Sequence, residues 1–279
     1  MTQLINLEQY QLIKVVGDQA KKFLQSQLSC DINECKQGLA PLGAYCNVKG
    51  RVIALVRVFL FADEYYLLVN REISAKLITT LNKFALFSKV TLLAEDLKLA
   101  CLGFISNDTE QSTLTIPEAI NGTRKENNNL LIRLGSNHGM LLTQDPSQSA
   151  SNTEVKAWQL LALKTKIAEI YPITSECFTP HHLNYPELGI INFKKGCFPG
   201  QEVIARIHYR GAVKEHCHLF TTTHSAVKPG EEITATDKIA GTVLMAAPGL
   251  NNKHGLAVIK DQFLTQQLMV ENQAIHLLP

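Results

Sequence analysis

The chain has 279 residues, of which 46% are hydrophobic and 19% charged. That is enough apolar material for two or three domains with sizeable cores, and too much for a disordered chain. Lys and Arg number 27 against 25 Asp and Glu, a formal charge of +2, so no global positive field recruits nucleic acid and direct RNA binding is not expected.

The opening MTQLINLEQYQLIKVVGDQ lacks the basic head and apolar run of a secretory signal. The longest apolar stretch, 52–62, contains Arg57 and is too short to span a bilayer. These features lead to the expectation of a cytoplasmic protein with no membrane contact. Seven cysteines (Cys30, Cys35, Cys46, Cys101, Cys177, Cys197 and Cys217) include no C-x-x-C pair, which argues for reduced thiols and against a structural metal site.

In chain order, residues 10–16 read as a strand. Asp18 then stands as a candidate N-cap for a helix with Ala20, Phe23, Leu24 and Leu28 on one face. The Asn47–Gly50 turn feeds a strand over 51–62, and Asp63-Glu64 turns it into a second strand, 65–69. Ile73, Leu77, Ile78, Leu81 and Phe84 recur at helical spacing behind Asn70, a candidate cap. Strands are predicted near 90–93, 97–105 and 130–134, with 121–129 (NGTRKENNN) as a polar loop. Ser151–Glu154 fits a capping box opening a helix with Val155, Trp158, Leu161 and Ala162 inward, ended by Tyr171-Pro172. Past residue 209, short apolar runs alternate with turn signals at Lys228-Pro229-Gly230, Pro248-Gly249 and Asn251-Asn252, the pattern of a small all-β domain.

The densest chemistry lies in 192–211, NFKKGCFPGQEVIARIHYRG. Pro199-Gly200 suits a tight turn, after which 201–207 can form a helical turn with Glu202 and Arg206 at i, i+4. Cys197 stands between Lys194-Lys195 and that helix start, a setting that favours thiolate. The same residues also suit a small buried cysteine flanked by solvated charges, and residue types alone leave both readings open. His216-Cys217-His218 with His181-His182 offers soft-metal ligands, but strand alternation turns Cys217 away from its neighbours.

The string Lys195-Gly196-Cys197-Phe198-Pro199-Gly200-Gln201-Glu202 resembles the K-G-C-[F/Y]-x-G-Q-E signature of the YgfZ family, relatives of the glycine-cleavage T-protein, an aminomethyltransferase. Ala205-Arg206 and Arg210-Gly211 continue the family pattern. Cys46-Asn47-Val48-Lys49-Gly50-Arg51 resembles its C-[D/N]-x-K-G-[K/R] turn, and Phe23–Gln27 with Asp31-Ile32 its F-L-Q-[G/S]-Q helix and D-[V/I].

The resemblance implies an α+β, T-protein-like three-domain ring around a central channel, with antiparallel sheets and a C-terminal small β-barrel. The domains would be 1–50 with 145–208 as a folate-binding unit, 51–144 as an α+β unit, and 209–279 as the barrel. It implies tetrahydrofolate or a related folate as cofactor. The implied role is an accessory one, supporting assembly, maintenance or repair of iron–sulfur enzymes, including tRNA-modifying ones, which with their assembly machinery would be the partners. Cys197 takes the position of the functional thiol. Lys195, Gly196, Gly200, Gln201, Glu202, Arg206, Asn47 and Lys49 take positions at the ligand site, with the glycines and Gln201 shaping the turn and Lys195 and Arg206 facing an anion.

Two departures bear on mechanism. The T-protein's strand acids are replaced by Ala54 and Leu55, which cannot act as base or stabilise a cationic centre. Where relatives carry an acid for the pterin N–H groups and then a glycine, this chain has Lys164 and Lys166. Glu169, Glu176 or Glu202 is then expected to substitute if folate binds. The alternative functions are a folate-dependent one-carbon transferase and a ligand-free protein-interaction scaffold.

Overall fold

The computed structural model describes residues 2–94, 99–106, 114–145, 155–248 and 252–279. The chain starts with β1 (Thr2–Asn6) and β2 (Tyr10–Val16), then α1 (Ala20–Gln27) and a 3₁₀ segment, Ile32–Gln37. β3 (Leu42–Cys46), β4 (Val52–Phe61), β5 (Glu64–Asn70), α2 (Arg71–Ala85) and β6 (Thr91–Leu93) follow. Strands β2 to β6 form an antiparallel sheet in the order β3-β4-β5-β2-β6. Its interior strand β4 is apolar on both faces apart from Arg57. Ala54, Val56 and Val58 pack with Phe23, Leu24, Ile73, Leu77 and Leu81 beneath α1 and α2. Phe59 and Phe61 pack with the second sheet, as period-two alternation requires. The β4–β5 turn places Ala62 and Asp63 both at positive φ (50° and 61°), the backbone of a type I′ hairpin. Asn70 caps α2, its side chain accepting from Glu72 N, whereas Gln19 rather than Asp18 stands at the α1 cap and makes no side-chain cap bond. Phe84, placed inward by helical spacing, is 46% exposed.

The second sheet adds β7 (Ala100–Ser106), β8 (Thr123–Glu126), β9 (Asn129–Arg133) and β10 (His138–Thr143) to β1, in the order β1-β7-β10-β9-β8. Both sheets therefore draw strands from the first 50 residues and from 51–144. The polar stretch read as a loop contains β8, an edge strand that among the described residues pairs only with β9. An edge strand with two solvated faces carries no apolar alternation to betray it. Helix α3 (Val155–Lys164) buries Trp158 against this sheet. It stops at Lys164, seven residues before Tyr171-Pro172, because Lys166 adopts φ 57°, a left-handed backbone that glycine takes without strain. The Ser151–Glu154 capping box and the start of the 97–105 strand lie outside the described residues, as do Gly249 and Asn251.

Residues 165–200 form a run of turns whose Ile170, Phe178, Leu183, Tyr185 and Ile191 join β3, β4 and the barrel in one core. Helix α4 (Gln201–Arg210) follows, longer than the single turn expected. The chain ends in β11 (Glu215–Thr222), β12 (Glu232–Ala235), β13 (Lys238–Pro248), β14 (Lys253–Lys260), β15 (Leu268–Val270) and β16 (Gln273–Leu278), a closed six-stranded barrel. Phe220, Ile233, Val243 and Ile259 fill its interior. The fold is thus the expected α+β assembly of antiparallel sheets with a C-terminal β-barrel.

Candidate functional site: a central cavity and a surface thiol loop

A cavity of about 400 Å³ opens where the two sheets, α3, the 165–190 turns and β13 meet. Its apolar walls include Leu55, Met140, Trp158 and Met245; its polar groups include Tyr10, Arg57, Asn121, His138, Glu169 and Tyr171. Arg57 reaches this face because it alternates with Val56 and Val58 along β4. Burial holds its guanidinium down to about 10, and Nη1 donates to Ala40 O and Asn121 Oδ1, both at 2.7 Å. Tyr10 OH donates to Glu169 Oε1 at 2.9 Å. Burial raises the Glu169 carboxyl, with the Tyr10 hydrogen bond and the Arg57 charge opposing the shift. Among the described residues Tyr10 is the one hydrogen-bond donor to that carboxylate. His138 is 6% exposed, both its ring nitrogens lack partners among the described residues, and burial lowers its pKa. An apolar cavity of this size with a few convergent polar groups is how small-molecule sites are built.

Of the two positions aligned with the T-protein acids, Leu55 lines the cavity, while Ala54 packs in the core beneath the helices. Of the three candidate replacement acids only Glu169 lines it. Glu176 accepts from Asn47 Nδ2 at 2.9 Å and pairs with Lys76 at 2.7 Å, and Glu202 is exposed on α4. Lys164 is exposed, and Lys166 Nζ donates to Pro279 O at 3.0 Å.

The signature residues assemble elsewhere. None of Asn47, Lys49, Lys195, Gly196, Cys197, Gly200, Gln201, Glu202 and Arg206 lines the cavity. Instead the structure packs the two motifs on each other. Gly200 sits at φ 78°, and a Cβ there would meet Asn47 O at 2.5 Å and Gly50 Cα at 2.8 Å. Asn47 holds its own turn by accepting from Lys49 N and Arg51 N through Oδ1, both at 3.0 Å. Asn192 Oδ1 accepts from the backbone N of Lys194 and Lys195 at 2.9 and 3.0 Å. The Lys195 side chain then turns inward, its ammonium donating to Gln25 O and Leu28 O at the end of α1. Nζ also stands 5.3 Å from the Phe198 ring centre, within cation–π reach. Burial pushes Lys195 down to about 8, with Cys30, Asp31 and Cys197 pulling the other way.

This inward turn leaves Cys197 outside, exposed in a shallow depression beside Lys21, Lys22 and Gly196. Nothing lies within 4 Å of a Cβ built on Gly196, so that glycine leaves the approach to the thiol open. Burial pushes Cys30, Cys35, Cys46, Cys101 and Cys217 up to about 12; among the seven, only Cys177 and Cys197 are exposed. Lys49, Glu202 and Arg206 are exposed, and among the described residues no ion pair joins Glu202 to Arg206. His216 pairs with Asp261 at 2.9 Å and His182 with Glu215 at 3.4 Å.

Sequence reasoning passed over Tyr10, Arg57, Asn121 and His138. Arg57 carried a usable signal, a lone cation inside an apolar strand that burial permits only with partners.

No protein-family model matches the chain. The glycine cleavage system aminomethyltransferase T of Bartonella henselae superposes over the whole chain and 85% of its own length, with a TM-score of 0.72 at 13% identity. The fold is therefore that of the glycine-cleavage T-protein. A protein of Photorhabdus laumondii called tRNA-modifying protein YgfZ is 30% identical over 268 residues, 89% of this chain and 81% of its own. The Vibrio atlanticus protein of the same name is 27% identical over 91% of this chain and 80% of its own. An uncharacterized protein of Haemophilus influenzae is 31% identical over 84% and 79%. The chain belongs to the YgfZ family.

Proposed function

We propose that this protein is a cytoplasmic accessory factor in tRNA modification that binds a folate in its central cavity and supports iron–sulfur enzymes through Cys197. The names of its relatives support the tRNA role, and the T-protein fold supports a folate. The observation that carries the ligand reading is the Tyr10–Glu169–Arg57 group, one acid and one cation facing a largely apolar cavity. Glu169 would accept the N–H donors of the pterin edge, doing the work of the acid absent at Lys164. Trp158, Tyr10 and Leu55 would exclude water from the ring, and a bound tetrahydrofolate would supply one-carbon or redox chemistry there.

Leu55 offers no proton acceptor where the T-protein has an acid, which supports an accessory role over aminomethyl transfer. Among the described residues no helix is long and apolar enough to cross a membrane.

Titration of tetrahydrofolate by calorimetry is expected to give saturable binding, weakened about 10- to 100-fold in Glu169→Gln, the loss of one charge-assisted hydrogen-bond pair. No saturation at millimolar ligand would favour the ligand-free scaffold instead. For the thiol, Cys197→Ala is expected to fail in restoring tRNA methylthiolation to cells lacking the protein. Restoration equal to wild type would make the signature purely structural.

A further inference from the structure

Two depressions adjoin along the exposed face of α1. The first, about 500 Å³, is lined by Asp18, Lys21, Lys22 and Ser26 and ends at Gly196 and Cys197. The second, about 580 Å³, shares Asp18, Lys22 and Ser26 and continues past Lys89 to Phe87. Together they form one groove with the exposed thiol at one end. At the other end Leu86 and Phe87 are 80% and 85% exposed on the turn after α2. Three lysines face one aspartate along its length, a local excess of positive charge in a chain that is nearly neutral overall.

The groove is held at both ends of α1. At the start of the helix, a Cβ on Gly17 would meet Lys89 O at 2.5 Å, so the β2–α1 junction and the Lys89 turn are in direct backbone contact. At its end, the Lys195 ammonium binds the carbonyls of Gln25 and Leu28, which fixes the Cys197 loop to the same helix. The spacing between the apolar end and the thiol is therefore set by the fold and needs no partner to order it.

We propose that this groove is the docking track for an acidic segment of a partner protein, anchored by an apolar side chain at Leu86–Phe87 and led by the lysines to Cys197. The proposal rests on the reading that Cys197 acts on protein clients and gives those clients a recognisable chemistry. Adjacent exposed large apolar side chains mark a surface that protein association covers, and the lysines complement an acidic chain. A nucleic-acid track would instead call for a run of cations without an apolar terminus.

The test uses the full-length Cys177→Ser protein, in which Cys197 is the remaining exposed thiol. The probe is a short synthetic peptide of Asp, Glu and Ser with one Phe and a terminal cysteine activated as its mixed disulfide with thiopyridine. Its counterpart carries Lys in place of the acids. The Cys197 thiolate attacks the peptide sulfur, a new disulfide forms as the pyridyl disulfide breaks, and the departing thiolate takes a proton as pyridine-2-thione, whose absorbance reports the rate. The acidic peptide is expected to react about tenfold faster at low ionic strength, with the advantage falling as salt rises. Lys22→Glu with Lys89→Glu is expected to reverse the preference, and the milder Lys→Gln pair to abolish it. Phe87→Ser is expected to slow the acidic peptide several-fold without changing the rate of a version lacking Phe.

Equal rates for the two peptides would overturn the proposal. So would protection of Cys197 by a single-stranded oligouridylate under conditions where the acidic peptide shows no preference. The readings separate in cells. If the Lys22/Lys89 reversal variant restores tRNA methylthiolation while Cys197→Ala does not, docking fails and the thiol's role stands. If the groove selects acidic peptide but Cys197→Ala restores activity, the role of the thiol fails and docking stands.

Discussion

The central cavity and the 192–201 loop handle buried charge in opposite ways. In the loop, the Lys195 ammonium is used up on two backbone carbonyls, and the reactive atom, the Cys197 sulfur, is left outside. In the cavity, among the described residues, the Glu169 carboxylate receives one hydrogen bond, from Tyr10, and the His138 ring nitrogens have no partner. Satisfied groups hold a shape, whereas under-satisfied buried groups raise the energy of the free protein and are relieved by a ligand. The loop is therefore a clamp that presents one atom, and the cavity is the part built to bind. Substitutions should accordingly destabilise the loop and leave the cavity unharmed or improved.

The largest effect is expected at Gly200. Alanine there meets Asn47 O at 2.5 Å on a backbone at φ 78°. The left-handed conformation costs about 1–2 kcal/mol and overpacking about 1–3 kcal/mol, so urea unfolding of Gly200→Ala should show a loss of about 3 kcal/mol. Gly196→Ala, four residues away in the same signature, projects into open space at ordinary φ and should stay within about 0.5 kcal/mol of wild type. Equal losses at the two glycines would break the description of the loop as a clamp anchored at Gly200.

This difference between two glycines also shows what was legible beforehand. Both appear in the signature string, and no feature of the string says which one touches the 47–50 turn, because the contact joins residues about 150 apart. The all-β character of the C-terminal part, β4, β5 and the Asn70 cap could be read from local alternation and turn residues, since those signals are short-range, whereas closure of that part into a barrel came only with the family resemblance. β1, β3, β8 and β10 could not, being short or polar strands whose pairing comes from distant partners. Likewise the cavity takes Tyr10, Arg57, His138 and Glu169 from four separate stretches of sequence, and only packing brings them together.

The next effect has the opposite sign. Glu169→Gln keeps the shape and an acceptor for Tyr10 while removing a poorly compensated charge, so the free protein should gain up to about 1 kcal/mol even as tetrahydrofolate binding weakens. Burial raises the folded carboxyl above its ordinary value of 4.5. The folded chain therefore holds more protons than the unfolded one just above that pH, and wild type loses stability relative to Glu169→Gln as pH rises through the folded value. Denaturant midpoints for both proteins from pH 4 to 8 check the sign, and a wild type that gains on the variant over this range would mean the carboxylate is fully compensated where it stands.

A further effect, spread over alkaline pH, separates Lys195 from the thiols. Lys195 falls from 10.5 to about 8 on folding. Between those values the unfolded chain holds more protons, so this lysine makes stability climb with pH, by at most about 1.4 kcal/mol per unit. The thiols of Cys30, Cys35, Cys46, Cys101 and Cys217 rise from 9.0 to about 12 and act the other way, because the unfolded chain loses their protons first and stability falls above pH 9. Wild-type stability alone mixes the two trends. The difference between wild type and Lys195→Met cancels the cysteines, and it should move in favour of wild type from pH 8 to 10.5, since the neutral amine keeps its hydrogen bonds to Gln25 O and Leu28 O without the penalty of a buried cation. A flat difference across that window would place the ammonium in contact with solvent and remove it from the clamp.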